Sequence, residues 1–297
     1  MPGGSTGAGP PRARRHESPV SLPPRSNRLS DGPSASGASP ETEGQFLRGL
    51  VKANDLSAVF QPIVALDGGQ LLAYEALVRC RIPELSPPEL FARAAVDRST
   101  GRLGRMIREI AVPLCSGTPL FVNLHPSELE EGWLIRPDDP IFSHDDDIYL
   151  EITESVPITH FDLCVSVLRE VCGRVGVHLV IDDLGAGYSN LKLIADLEPK
   201  VVKLDRNLIQ DLGHRPRQRT LVSTVVRLCN ELGALVVAEG IETGDEYLAV
   251  RDCGAQYGQG YLFAQPAFPM PNVTWPPRRV DSEPPPTTRP SRRIRNA

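Results

Sequence analysis

An α/β barrel of the TIM-like (β/α)8 type, with one antiparallel strand and a disordered tail at each end, is the fold class predicted by this 297-residue sequence. Three observations carry it. Short apolar runs alternate with amphipathic helical stretches about eight times over roughly 225 residues, as parallel strands covered by helices require. The first two runs are joined by a tight turn rather than a helix, and nearly every run ends on a polar residue. The two ends of the chain lack the alternation and are rich in proline and arginine. Such segments cannot bury enough apolar surface to offset their ordering entropy. The expected division is a tail at 1–44, a barrel domain at 45–272 and a second tail at 273–297.

Taken in order, the runs at 59–66 and 71–79 meet across Asp67-Gly68-Gly69, which reads as a hairpin and makes the first strand the antiparallel one. Apolar spacing of helical period follows at 89–97 and 103–114, with strands at 120–124 and 148–153. Asp145, Asp146 and Asp147 just before the latter read as a solvated loop. A helix at 161–175 leads to the strand 177–182, and a strand at 201–204 precedes a helix at 219–231. A strand at 235–238, a helix at 245–253 and a last strand at 257–263 complete the set.

Composition narrows the function. Hydrophobic residues at 40% and charged residues at 23% describe an ordinary globular protein, and a net charge of −5 excludes nucleic acid as the expected main partner. Six dispersed cysteines, with no Cys-x-x-Cys pair, read as reduced core residues of a cytoplasmic protein and not as a zinc site. No apolar run is long enough to span a membrane and the first residues lack a signal-peptide apolar stretch, so no membrane insertion is expected.

The strand ends carry the chemistry. Successive runs deliver Glu75, Asn123, Glu151, Asp182 with Asp183, Lys203, Glu239 and Gln259. In a barrel the C-terminal strand ends converge on one mouth, so these residues form an oxygen-rich acidic cup with one lysine. Asp182 and Asp183 are adjacent, and neighbours on a strand face opposite ways, so they share a site only where the strand is ending. Two ionised carboxylates side by side repel unless a cation lies between them, and Mg²⁺ or Mn²⁺ prefers oxygen ligands. Singly, each residue has a plainer explanation: a solvated Asp-Asp turn, a surface pair of Lys203 with Asp205, a helix cap at Glu239 and Glu242. Together they would have to coincide.

These blocks resemble the EAL-domain cyclic di-GMP phosphodiesterases. The resemblance rests on Tyr74-Glu75-Ala76-Leu77-Val78-Arg79, Phe121-Val122-Asn123-Leu124, Leu150-Glu151-Ile152-Thr153-Glu154, Asp182-Asp183-Leu184-Gly185-Ala186-Gly187-Tyr188-Ser189, Val202-Lys203-Leu204-Asp205-Arg206, Val237-Ala238-Glu239-Gly240-Ile241-Glu242 and Gln259-Gly260-Tyr261-Leu262-Phe263. It implies hydrolysis of cyclic di-GMP to linear pGpG. By that resemblance Glu75, Asn123, Glu151, Asp182, Asp183 and Glu239 hold one or two Mg²⁺ or Mn²⁺ ions. Lys203 and Gln259 orient the attacking water or the scissile phosphate, and Arg79, Leu77 and Gln61 contact substrate. Glu242 braces the loop after Asp183, and a homodimer near that loop is expected. Leu184, Ala186 and Asn190 stand where Phe, Thr and Ser are common, and Cys80 where Trp is frequent; none removes an expected metal ligand. The alternative is a weak or inactive domain acting as a cyclic di-GMP receptor or protein-interaction module. With no cyclase motif or sensor domain recognisable, regulation is expected from the tails, oligomerisation or a separate protein.

Overall fold

The computed structural model describes residues 51–153, 160–174, 176–187 and 191–275. The tail expected at 1–44, and the second tail from 276 onward, lie outside these residues.

Eight strands close into one barrel in chain order. They are β1 Leu56–Ala65, β2 Leu71–Cys80, β3 Leu120–Asn123, β4 Ile148–Thr153, β5 Val177–Leu184, β6 Val201–Leu204, β7 Leu235–Ala238 and β8 Tyr257–Gly258. β1 runs antiparallel to both its neighbours, β2 and β8, and the remaining pairs are parallel. The hairpin between β1 and β2 turns where expected: Gly69 adopts φ 72 and its N–H reaches Ala65 O at 2.8 Å. A side chain there would be strained and would also strike the Trp275 ring.

The helices among the described residues are α1 Pro87–Val96, α2 Thr100–Ala111, α3 Phe161–Cys172, α4 Leu191–Leu197, α5 Arg206–Ile209, α6 Pro216–Glu231 and α7 Gly244–Asp252. Each of the longer ones buries residues three or four apart against the strands: Leu90 and Ala94 in α1, Leu103, Ile107 and Ala111 in α2, Val222, Val226 and Cys229 in α6. Pro87 at the start of α1 and the Thr243–Glu246 capping box of α7 supply the start signals. No helix of the described residues is long and apolar enough to cross a membrane.

Inside the barrel, Ile63, Ala73, Phe121, Tyr149, Val180, Val201 and Val237 form one apolar layer. It matters for everything above it. Side chains two residues apart on a strand share a face, and two residues beyond these lie Glu75, Asn123, Glu151, Asp182, Lys203 and Glu239. On β1, which runs the other way, the matching position is Gln61, two residues before Ile63. The apolar layer is the floor of the site.

Two expectations are corrected. The strand expected at 257–263 pairs only at Tyr257–Gly258, because the chain turns at Gly260 onto the segment after β7: Ile241 N donates to Gln259 O at 3.0 Å and Leu262 N to Ile241 O at 3.0 Å. A Cβ at Gly260 would lie 2.1 Å from Ile241 O, so only glycine allows this approach. The barrel domain also extends past residue 272. Thr274 N donates to Phe263 O at 2.9 Å and Trp275 stacks on Phe263, centroids 6.0 Å apart.

Cys115, Cys164, Cys229 and Cys253 are buried free thiols, and Cys80 and Cys172 are partly exposed. Burial pushes Cys115 up to about 12 and Cys172 and Cys229 up to about 11. At pH 8 these three are expected to react with a thiol reagent on the order of 10²-fold more slowly than a free cysteine. All six should titrate in denaturant; fast labelling of Cys115 in the native protein would contradict the packing.

Candidate active site

The strand ends meet as expected, and a lysine stands at their centre. Lys203 Nζ on β6 lies 2.5 Å from Glu239 Oε1, 2.6 Å from Glu151 Oε1, and 3.3 Å from both Glu75 Oε2 and Asp182 Oδ1. Its side chain is 1% exposed. Burial alone would lower the ammonium's pKa, but Asp182, Glu151, Glu239 and Glu75 outweigh it and hold it well above the ordinary value. Lys203 therefore stays charged and is unsuited to accept a proton. The surface pair with Asp205 does not form; Asp205 instead caps α5, accepting from Asn207 N at 2.9 Å.

Glu75 is the hub of the hydrogen bonds. Gln259 Nε2 donates to its Oε2 at 2.6 Å, Lys203 to the same oxygen at 3.3 Å, and Asn123 Nδ2 to its Oε1 at 3.2 Å. Burial pushes this carboxyl up, yet Lys203 and the two amides prevail and keep it below its ordinary value. Gln61 is buried beside it: it accepts from Gln259 Nε2 at 3.1 Å and donates to Ala264 O at 3.0 Å. Its side chain thus braces Gln259.

Asp182 and Asp183 come together by a different route from the one expected. β5 does not end between them but runs to Leu184, and its pairing with β6 shifts register between Ile181 and Leu184. Asp183 sits at the bulge with φ 60, a left-handed conformation uncommon outside glycine. The irregularity defeats strand alternation, so oxygens of Asp182, Asp183 and Glu239 lie within 4.8 Å of one another. Thr153 Oγ1 donates to Asp183 Oδ2 at 3.1 Å. Thr153 was not singled out from the sequence, although it lies two residues beyond Glu151 on the same face.

Four carboxylates share one ammonium, and the imbalance shows. Burial first, then neighbouring carboxylates, raise Glu151 and Glu239 well above their ordinary values and push Asp182 to about 6. Neither oxygen of Glu151, nor Oδ1 of Asp182, accepts a hydrogen bond although all three are buried; the contacts of Lys203 with these two residues are ion pairs and not hydrogen bonds. Buried anionic oxygens without donors normally carry a heavy penalty. An all-oxygen set of this kind fits a hard divalent cation such as Mg²⁺ or Mn²⁺.

The cup opens into a groove of about 550 Å³. Leu77 and Arg79 of β2 line it, with Asn123, Asp182, Asp183, Phe91 and His125. The Phe91 and His125 rings are nearly parallel, centroids 5.8 Å apart. Arg79 Nη1 donates to Val78 O of its own strand at 2.9 Å, and among the described residues no carboxylate pairs with it. Glu242 lies outside the cup: its Oε1 pairs with Arg206 Nη2 at 2.9 Å. Leu184 and Ala186 are described, Leu184 buried in the core, whereas Tyr188, Ser189 and Asn190 lie outside the described residues.

Comparison with known proteins points to one family. Residues 45–266 match the family model of the EAL domain. A cyclic di-GMP phosphodiesterase of Pseudomonas aeruginosa is 34% identical over 231 residues, 73% of this chain and 39% of that protein. The cyclic di-GMP phosphodiesterase RocR of the same organism is 32% identical over 238 residues, 74% of this chain and 59% of RocR. Klebsiella pneumoniae BlrP1, solved with manganese and cy-diGMP, is 33% identical with a TM-score of 0.63, covering 72% of this chain and 56% of that one. The match spans less than two thirds of each of these relatives.

Proposed function

The chain belongs to the EAL domain family, and on that premise we propose that it hydrolyses cyclic di-GMP to linear pGpG with the help of Mg²⁺ or Mn²⁺. The observation that carries this reading is the buried ring of Glu75, Glu151, Asp182 and Glu239 around a single ammonium. Asp182, Asp183, Glu239, Glu151, Glu75 and Asn123 are the residues that would hold one or two such ions. The chemistry an ion supplies when bound there is neutralisation of the phosphodiester's charge and a lowered pKa for the attacking water.

The protein's own groups do the rest. Lys203, held protonated, ties the carboxylates into one cup and presents a fixed positive charge, so its role is orientation and not base catalysis. Glu75 stays anionic and takes its direction from Gln259 and Asn123. Gln259, buttressed by Gln61, reaches the cup from β8. Arg79, exposed along the groove and free of any carboxylate within the described residues, is suited to a substrate phosphate by its planar fork. The apolar floor keeps the chemistry from open water, where charges act more weakly. The same reading takes the enzyme to be a cytoplasmic homodimer, regulated through its tails, its oligomerisation or a separate protein.

The test is direct. Purified protein incubated with cyclic di-GMP and Mg²⁺ or Mn²⁺ should give pGpG on chromatography, and none in excess chelator. Binding of the dinucleotide without turnover would overturn the enzymatic reading in favour of a receptor.

A further inference from the structure

Outside the cup, the described residues hold one other buried cluster of charges. Arg108 of α2 lies fully buried between Glu128 and Asp139, both in the segment that follows β3. Its Nη1 donates to Glu128 Oε2 at 2.8 Å, and its Nε and Nη2 grip Asp139 at 3.0 and 2.9 Å. A buried ion cluster of this kind stabilises a fold little more than apolar residues of the same size, and what it supplies best is direction. The free oxygen of Glu128 shows which way it points: Oε1 accepts from His125 N at 3.1 Å. The carboxylate reaches both partners only because position 104 is glycine, where a Cβ would lie 2.0 Å from Glu128 Oε2.

His125 is two residues beyond Asn123, the end of β3. The residue between them is fixed from the other side, since Leu124 N donates to Glu151 O at 2.8 Å. The backbone leaving Asn123 is thus held on one flank by β4 and on the other by a carboxylate anchored on a buried arginine. Asn123 in turn spends its Nδ2 on Glu75 Oε1, which leaves Oδ1 as its remaining ligand atom.

We propose that Arg108, acting through Glu128, is a positioning residue for Asn123 and sets the cation affinity of the cup. This rests on the reading of Asn123 as a cation ligand. Glu131 strengthens the same joint: its carboxylate accepts from Thr100 N at 3.1 Å and Gly101 N at 2.8 Å, so that segment is tied to α2 at a second point.

The test compares Glu128→Leu, Glu128→Gln and the charge-free triple variant R108M/E128L/D139N in the full chain. Mn²⁺ binding is measured by calorimetry on protein shown to be folded, and kcat and KM for cyclic di-GMP are measured alongside. Loss of the tether should weaken Mn²⁺ binding about 10–100-fold, the range for supports that act through a ligand. It should lower kcat while KM stays within about twofold. Glu128→Gln keeps an acceptor for His125 N and should recover most of the loss. The triple variant leaves no buried charge unpaired, so its folding is preserved and its Mn²⁺ affinity should fall like that of Glu128→Leu. Wild-type Mn²⁺ affinity in a folded triple variant would overturn the proposal, whatever its melting temperature. A wild-type protein that binds Mn²⁺ but does not turn over cyclic di-GMP would sink the phosphodiesterase reading instead, and the Mn²⁺ comparison would still decide this one.

Discussion

Lys203→Met should make the fold depend on a divalent cation. In the native protein one ammonium stands within 3.3 Å of four carboxylates, in a largely buried site at the foot of the groove. Methionine keeps much of the volume but leaves those anions facing one another. Removing one partner of a buried ion pair costs about 3–5 kcal/mol. For a domain of this size that is a fall in Tm on the order of 10 °C, at about 2–4 °C per kcal/mol. The pH of the measurement follows from the sign of the shift. Lys203 has its pKa raised above the ordinary 10.5, so its contribution is fully present below that value and is lost only as pH rises through the higher folded value. At pH 8 the whole effect is visible. In chelator the variant should melt about 10 °C below wild type, and saturating Mn²⁺ should restore most of the gap, because the ion stabilises only the folded state. Turnover should drop at least about 10²-fold even with the cation bound, as an orienting charge in a largely buried site is lost. A variant that melts like wild type in chelator would show that protons on Glu151 and Glu239 already balance the site, and that Lys203 is not its electrostatic keystone.

The layer that seats Lys203 was readable because two-residue periodicity survives from sequence to barrel. Phe121 and Asn123, Tyr149 and Glu151, Val201 and Lys203 each place an apolar floor residue and a polar site residue on one face. Where the period breaks, the reading went astray. Asp182 and Asp183 converge because Asp183 takes a left-handed conformation at a bulge, and alternation cannot foresee that. β8 shrinks to two residues because Gly260 allows a close backbone approach that no apolar count reveals. Two helices, Leu191–Leu197 and Arg206–Ile209, were missed since neither is long enough to show a helical period. Arg108 left no local sign either. Its partners are 20 and 31 residues away, and a single arginine on an apolar helix face looks like a surface residue until the segment beyond β3 folds over it. The prolines around Trp275 read as a tail, while its ring packs against the core.

Glu75→Ala should abolish turnover while leaving the barrel intact, the reverse balance from Lys203→Met. Of the four carboxylates around Lys203, Glu75 alone is kept below its ordinary pKa by the surrounding groups, and so it holds a cation without first losing a proton. It also receives three donors, from Gln259, Asn123 and Lys203. Truncation frees all three at once: Gln259 loses the oxygen that aims it, Asn123 loses the partner of its Nδ2, and the cup loses a ligand. Loss of a Lewis-acid site removes several kcal/mol of transition-state stabilisation, and about 4 kcal/mol corresponds to a 10³-fold drop in kcat. The fold has less at stake, because Lys203 keeps Glu151, Asp182 and Glu239 as partners. Removing one of four negative charges also relieves repulsion among the rest. The melting temperature in chelator should therefore stay within a few degrees of wild type, and Mn²⁺ should raise it less than in wild type. Glu75→Gln separates the two contributions: its amide oxygen still accepts hydrogen bonds, but it brings no charge to a cation. If Glu75→Gln were as active as wild type, hydrogen-bond geometry alone would account for the residue, and the cation would have to be held by Asp182, Asp183 and Glu239. If it is as inactive as Glu75→Ala, the charge itself is what the cup requires, and the three donors around Glu75 serve to keep that charge in place.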